Sequence, residues 1–506
     1  MTTSTYSVQL KLVIDPHIEH MLEKRFRIAE TIYNRLVHHC IKRLARLRMD
    51  PEYVSVQKDI RDLIDQKDKH KKELQRSYKI RKILIEKYEL TKFDLIKHVK
   101  PIGQRYRKHL DSKVVQCIAK QVYSGVNKIL FGDGERLHYK RCGDLSTIRT
   151  DTNINRLRYQ DGIVYFNDLM IKVRKKQLND SYTQACMQDR IKYIMIKRLP
   201  FNTRYRYYVV LVLEGYPPLK QEIGTGRVGI DIGTSTVACV SDNQVILEEL
   251  APKGFLYNDK IKALNEKIES VRRINNPQNY DPDGTIKKLK RGERRVWYNS
   301  NNYKKLRMQY KTLNRKRSAC VKQEHEILAN RILSDGDVVF VEDMNFAGLA
   351  KRSKKETEQT DKEIEVKTKS GETKTVKKCK KKKRFGKSIN FRSPSLLITI
   401  IDRKLVSRGL EGVHKINTST YKASQYDHTT DSYTKKDLNE RWNVIAGKRV
   451  QRDLYSAFLI KNPMGDLKTA DKHLCICDYD RFVEMHDFLI EWIKQNVTDR
   501  PSSFGF

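Results

Sequence analysis

The chain opens on alternation. Tyr6, Val8, Leu10, Leu12 and Ile14 share one side of a period-two pattern over 6–14, which predicts a half-buried strand. Asp15-Pro16 then offers a helix cap and a first-turn proline. Ile18, Leu22, Phe26, Ala29, Ile32, Tyr33, Leu36 and Cys40 follow at helical spacing, predicting a long amphipathic helix to about residue 47. Residues 54–100 are charged and helical in character, with Pro101 as the expected break. Val114, Val115, Ile118, Ala119, Val122, Val126 and Ile129 mark another helix that stops at Gly132-Asp133-Gly134. Period two then returns: 157–165 reads as a hairpin turning on Asp161-Gly162, and 193–198 with 204–213 as a second pair. Strand 6–14 is expected to join these in one small barrel or sandwich.

From residue 223 the apolar runs end in acids. Val228-Gly229-Ile230-Asp231-Ile232-Gly233 predicts a buried strand and a tight turn, with 237–240 returning. Helical stretches at about 258–274 and 300–334 flank a loop rich in Asn, Pro, Asp and Gly at 275–284. Val338-Val339-Phe340-Val341-Glu342-Asp343-Met344 is a second buried strand ending in acid. Residues 351–384 hold 15 Lys/Arg and 6 Asp/Glu with few apolar positions, so a mobile loop or disordered insertion is expected, its end at 377–384 a candidate phosphate patch. A helix over about 395–408 follows, and a last apolar run at 450–460 carries Asp453 at helical spacing.

Charge narrows the partners. The chain has 102 Lys+Arg against 62 Asp+Glu, a formal net charge of +40, which points to nucleic acid. No stretch approaches the ~20 apolar residues of a membrane span and no signal peptide precedes the first strand. The nine Cys are scattered and odd in number, which fits a reducing compartment. A cytoplasmic, nucleoid-associated prokaryotic protein with no membrane partner is the expectation. Candidate nucleic-acid contacts are Lys304, Lys305, Arg307, Lys311, Arg315, Lys316 and Arg317 on the second helical stretch, and Arg204, Arg206 and Tyr207 in a strand where Arg and Tyr interleave. Lys387, in Phe385-Gly386-Lys387-Ser388, and Arg452 complete the set. The plain alternative for each is a solvated face.

Asp231, Glu342 and Asp453 each interrupt an apolar run, and an unpaired buried carboxylate is expensive. Taken singly, each is most simply an ion-paired surface residue. Gathered together, the three would repel unless divalent cations stood between them. Two Mg²⁺ ions about 3.5–4 Å apart, with Mn²⁺ as a substitute, would suit in-line phosphodiester hydrolysis without a side-chain nucleophile. Asp343 is expected on the opposite face of its strand from Glu342.

Gly229-Ile230-Asp231-Ile232-Gly233, Val341-Glu342-Asp343-Met344-Asn345 and Gln451-Arg452-Asp453-Leu454-Tyr455-Ser456-Ala457 resemble the three motifs of a RuvC nuclease in an RNase H-like fold. Their order and surroundings resemble TnpB, the transposon-encoded RNA-guided nuclease, and the compact type V CRISPR nucleases, over nearly the whole chain. The resemblance implies a multidomain α+β protein. A wedge-like β-barrel domain (1–16 and 132–222) would be interrupted by a helical recognition domain (17–131). A RuvC nuclease domain (223–506) would hold basic helices at 258–334 and the flexible basic insertion at 351–384. It implies an RNA-guided DNA endonuclease whose partners are a guide RNA and double-stranded target DNA with a short flanking motif. It does not set the oligomeric state.

One departure stands out. The four-Cys zinc element usual in that family has no CxxC here, and 410–448 takes its place as a degenerate element held by packing or ion pairs, with no zinc expected. A mixed site of His428 with His473, Cys475 and Cys477 is a weaker option, since structural zinc sites favour paired ligands at tight spacing. Cys475 and Cys477 read better as one side chain in the core and one out. Competing functions are an RNA-guided DNA-binding regulator without cleavage, a DDE-type transposase or Holliday-junction resolvase, and an ATPase of the actin and sugar-kinase kind. The ATPase lacks its second glycine-rich phosphate loop here.

Overall fold

The computed structural model describes all residues except 1–3, 67, 133, 219–220, 291–292, 354–356, 368–372, 383, 436 and 438–439. Asp133 of the expected helix stop, and parts of the insertion at 351–384, therefore lie outside the described residues. The chain divides into two compact units, Met1–Pro218 and Leu219–Phe506.

In the first unit, β1 (Thr5–Lys11) leads into α1 (Pro16–Met49). The Asp15 carboxylate accepts from the Ile18 N–H, and Pro16 begins the helix. Next come α2 (Pro51–Leu63), α3 (Lys71–Lys87), α4 (Lys92–Gln104) and α5 (Ser112–Phe131). Pro101 does not break the chain where expected: it lies inside α4. It deprives only the exposed Lys97 carbonyl of a partner. Leu95, Val99 and Gly103 are buried, with Gly103 so close to Val115 of α5 that a Cβ would stand 2.8 Å from it. That packing outweighs one lost hydrogen bond.

Strands β2 (Thr147–Arg149), β3 (Leu157–Gln160), β4 (Ile163–Phe166) and β5 (Leu169–Lys172) follow, then α6 (Lys175–Leu178), α7 (Ser181–Cys186), β6 (Ile191–Phe201) and β7 (Arg204–Glu214). Asp161 and Gly162 both take positive φ, the two-residue turn that matches strand twist. Where one small barrel or sandwich was expected, the strands form two antiparallel sheets, β1-β7-β6-β2 and β3-β4-β5. They meet at a corner through the Leu12–Val173 bridge. β1 pairs along its length with β7, so the first and last strands of the unit are neighbours, with α1–α7 between them in the chain.

The second unit is built on a five-stranded sheet, β10-β9-β8-β11-β14. β8 (Arg227–Ile232), β9 (Thr236–Val240) and β10 (Val245–Glu249) form an antiparallel meander. Helices α8 (Pro252–Phe255), α9 (Asn258–Ile274) and α10 (Asn301–Leu333) lead to β11 (Val338–Glu342), which lies parallel to β8. After α11 (Phe346–Leu349) come β12 (Thr357–Lys367) and β13 (Thr373–Lys381), then α12 (Gly386–Arg392), α13 (Pro394–Val406) and β14 (His414–Ile416), parallel to β11. The rest comprises α14 (Thr418–Tyr421), β15 (Tyr426–Asp427), β16 (Ser432–Tyr433), β17 (Trp442–Ile445), β18 (Lys448–Gln451), α15 (Arg452–Lys461) and α16 (Lys472–Asn496).

The segment expected to be an unstructured insertion contains an antiparallel ribbon, β12–β13. Its first strand carries four acids and its second five lysines, and the register sets Glu358 opposite Lys380 and Glu363 opposite Lys377. Composition hid this, because Thr and Val alternate with the charges.

The two faces of the main sheet differ. Val228, Ile230, Ile232, Val339 and Val341 pack under Leu328 and Ile332 of α10 and Leu397 and Ile401 of α13. Ala238, Val240, Phe340 and Ile416 pack on the other side against Leu454, Ala457 and Phe458 of α15. Residues 454–461 of α15 are all buried, which explains its continuous apolar run.

Candidate active site

The register of β8 and β11 brings two acids together. Val341 pairs with Ile230, so the next residues, Glu342 and Asp231, stand side by side at the carboxyl ends of adjacent parallel strands. Strands in a sheet are about 4.8 Å apart, and neighbours in register share a face. That face is set by Gly229. A Cβ there would lie 2.1 Å from the Ala457 carbonyl oxygen and 2.3 Å from the Lys461 nitrogen of α15. Asp231, two residues on, faces the same helix. Asp453, Ala457 and Lys461 recur every four residues along α15, so the stripe that lies on β8 brings Asp453 toward Asp231.

The start of α15 is fixed by buried polar groups. Gln451 is fully buried, and its side-chain oxygen accepts from the Leu454 N–H at 2.8 Å. Its own backbone N–H donates to His486 Nε2 at 2.9 Å. His486 Nδ1 lies 2.8 Å from the Asp487 carboxylate, so the ring is neutral with its proton on Nδ1, and burial lowers its pKa. The far end is held by Lys461, whose ammonium is buried between Asp242 at 2.5 Å and Asp478 at 2.9 Å.

The electrostatics are those of an acid cluster. Asp231 is packed deep among protein atoms yet keeps part of its surface open. Burial raises its pKa well above the carboxylate range, and the charges of Asp453 and then Glu342 add to the rise, while Arg452 opposes it. Burial pushes Glu342 up to about 6. Asp453, in the first turn of α15, is 19% exposed, with Arg452 Nε at 3.5 Å. Asp343 points away, 63% exposed and 3.4 Å from Lys415. The donor set is all carboxylate, which suits a hard divalent cation and would relieve the like-charge repulsion. Asp231 stands within electrostatic reach of both Asp453 and Glu342. Among the described residues no group of three or more His, Cys, Asp or Glu is already drawn together around a metal position.

The expected nucleic-acid contacts divide. On β7, Arg204 and Arg206 are exposed and line a groove of about 430 Å³ with Lys11, Arg174, Phe201 and Tyr205. Tyr207 is a correction: it is 2% exposed and donates to Glu23 at 2.5 Å. Glu23 also takes both 2.9 Å bonds from Arg198, which is itself buried over the Phe26 ring. A strand that alternates Arg and Tyr sends successive side chains to opposite faces, and Tyr207 turns inward to join this ion pair. Arg452 is a second correction. Its side chain is only 12% exposed, and its guanidinium donates to the Asp437 and Glu440 carbonyls, so most of its donors are spent within the protein.

On α10, Lys304, Lys305 and Lys316 are exposed, while Arg307, Lys311, Arg315 and Arg317 are partly covered. Arg307 lies over Tyr310 and Arg317 over Phe391. Lys387 is exposed in the first turn of α12, and the adjacent Ser388 donates to the Thr234 carbonyl in the turn after Asp231.

His428 is a core histidine. Its Nδ1 lies 2.7 Å from Tyr455 Oη, its ring packs among Tyr455, Phe458 and Tyr479, and burial lowers its pKa. It anchors the β15–β16 segment on α15. His473 lies 3.9 Å from the exposed Cys477 on α16, while Cys475 is buried. Sequence inspection missed Gln451, His486, Lys461 and Gly229 as organisers of the site. Apart from the Leu454 N–H that Gln451 caps, their partners are distant in the chain, and only the glycine two residues before Asp231 gave a local hint.

No protein-family model matches the chain, and no curated protein matches it. Among solved structures, the chain is similar to a protein in a cryo-EM structure of a Cas12f1–sgRNA–target DNA complex, with 13% identity, 91% of this chain and 99% of that one covered, and a TM-score of 0.43. It is also similar to a chain of a CRISPR-Cas12f ternary complex, with 13% identity, 89% and 82% covered, and a TM-score of 0.26. A Cas12i(E894A)–crRNA–dsDNA complex matches at 9% identity, 96% and 64% covered, and a TM-score of 0.24. Among the described residues no helix is long and apolar enough to cross a membrane.

Proposed function

We propose that this chain is an RNA-guided DNA endonuclease whose hydrolytic site is Asp231, Glu342 and Asp453. The supporting observation is the placement of two acids side by side at the carboxyl ends of β8 and β11, beneath the helix stripe that carries the third. In open sheets, ligands gather outside the carboxyl ends of parallel strands where the strand order reverses, and β8 and β11 flank that point here. The motifs around the acids resemble those of RuvC nucleases, and the charge of +40 supports nucleic acid as substrate and guide.

Asp231, Glu342 and Asp453 would hold two Mg²⁺ ions, which, when bound, activate water and stabilise charge on the scissile phosphate. The protein's own part is orientation. The Gln451 cap and the His486 bond fix the first turn of α15, and the β8–β11 register fixes the other two carboxylates. Leu454 and the apolar floor beneath the acids limit water, which keeps the carboxylate charges strong. Exposed Lys304, Lys305, Lys316, Arg204, Arg206 and Lys387 would neutralise phosphates along the bound strands.

Asp231→Asn tests the assignment. The purified protein with its copurifying RNA should cut matching duplex DNA in Mg²⁺, and the variant should lose about 10³-fold or more in rate while still binding RNA and DNA. Undiminished cutting by the variant would move the site elsewhere, and duplex binding without cutting by the wild type would favour a guided DNA-binding regulator.

A further inference from the structure

Residues 275–300 join α9 to α10 as a long connection whose described residues hold one short 3-10 turn, Pro277–Asn279, and it is clasped from within. Asn276, fully buried, donates to the Tyr298 carbonyl at 3.0 Å and accepts from the Tyr298 N–H at 2.6 Å. Asn279 donates to the Val296 carbonyl at 2.7 Å, and Asn275 to Ser300 at 3.2 Å. Arg295 donates to the Lys287 carbonyl, tying the two legs together. Trp297 is held inward, with Arg272 over its ring at 3.8 Å and Tyr280 edge-on at 5.9 Å. The residues on either side face out: Val296 is 76% and Tyr298 67% exposed. Asn276 pins the Tyr298 backbone and Asn279 that of Val296, so the exposed tyrosine leaves the loop from a fixed point and little backbone entropy remains to be lost when something stacks on its ring.

Charge indicates what stacks there. Residues 286–300 contain six Lys/Arg and one acid, and Lys287, Lys288, Lys290 and Arg294 are exposed. An exposed aromatic ring on a pinned backbone, in a loop rich in exposed cations, matches the chemistry of a single nucleic-acid strand, whose bases present π-faces and whose phosphates follow at regular spacing. A duplex offers no unstacked base to Tyr298.

We propose that this clasped loop is a single-strand binding surface, with Tyr298 stacking one base and Arg294, Lys287 and Lys288 taking the flanking phosphates. The inference rests on nucleic acid being the substrate class proposed above, but it is read by binding alone and does not depend on the carboxylates.

The test uses full-length protein stripped of copurifying nucleic acid, at raised ionic strength so that unspecific charge binding is screened. Fluorescence anisotropy is measured with labelled oligothymidine, oligouridine and a duplex DNA of the same length. Tyr298→Ala should weaken single-strand binding about tenfold, Tyr298→Phe should restore it, and duplex binding should stay unchanged. A loss confined to oligothymidine identifies a DNA strand as the occupant, and one confined to oligouridine identifies RNA. Either supports the proposal, as does a loss on both. Unchanged single-strand binding by Tyr298→Ala, or an equal loss on duplex, overturns it. Because Tyr298 is exposed, both variants should melt at the wild-type temperature. If Asp231→Asn still cut DNA, the catalytic assignment would fail while this result stood.

Discussion

Glu342 allows the acid cluster to be probed without any substrate. Burial pushes its carboxyl up to about 6 from an ordinary 4.5, a rise equivalent to about 2 kcal/mol between the two protonation states. The folded protein favours the protonated form. This group's contribution to stability is therefore fully present below pH 4.5 and is lost as pH rises through about 6. Above that, the ionised carboxylate leaves the metal-free protein about 2 kcal/mol less stable than a neutral side chain of the same shape would. Glu342→Gln supplies that side chain. With chelator present, the variant should be more stable than wild type by up to about 2 kcal/mol at pH 7.5, or ~4 °C in Tm, and should match it at pH 4.5. Mg²⁺ should then stabilise the wild type and leave the variant nearly unmoved, since an ion bound only by the native state adds stability in proportion to its affinity. Thermal melts followed by circular dichroism at three pH values, with and without Mg²⁺, give all of these quantities. If Glu342→Gln is less stable than wild type at pH 7.5 without metal, or if its advantage persists unchanged at pH 4.5, the description of the site as a buried, mutually repelling acid cluster is wrong.

Two further outcomes test the frame around the acids. Gly229→Ala drives a Cβ into backbone atoms of α15 that cannot step aside, so a loss of about 3 kcal/mol is expected; an unchanged melting temperature would mean that α15 does not lie on β8 as described. Replacing 354–381 by a short Gly-Ser link should leave the melting temperature of the chain intact, because β12 and β13 form a sheet only with each other. The Ser353 N–H bond to the Lys382 carbonyl marks where the cut must stop, and unfolding of this variant would show that the ribbon supports the core.

How much of this was legible depended on the range over which the determining contacts act. Asp15-Pro16 caps α1 through atoms three residues apart, and Asp161-Gly162 turns a hairpin through its own φ angles. Local pattern sufficed for both. The alternation at 6–14 and the apolar runs ending in Asp231 and Glu342 likewise announced strands, because burial imposes the period directly. Pro101 misled because its local cost was outweighed by packing of α4 against the next helix, α5. The ribbon at 357–381 misled because its charge suggested solvation while antiparallel pairing set acids across from lysines.

The sequence by itself determined which residue types were available: three acids set in apolar runs, a large excess of positive charge, and a glycine two places before Asp231. Only the tertiary structure decided which of them meet. The parallel register of β8 with β11 made Asp231 and Glu342 neighbours, and the close approach of α15 at Gly229 brought Asp453 toward them. The same folding removed Tyr207 and Arg452 from the basic surface by giving each a buried or backbone partner. Strand pairing and helix seating are settled by contacts between segments more than about a hundred residues apart, and such contacts leave no periodicity in either segment alone.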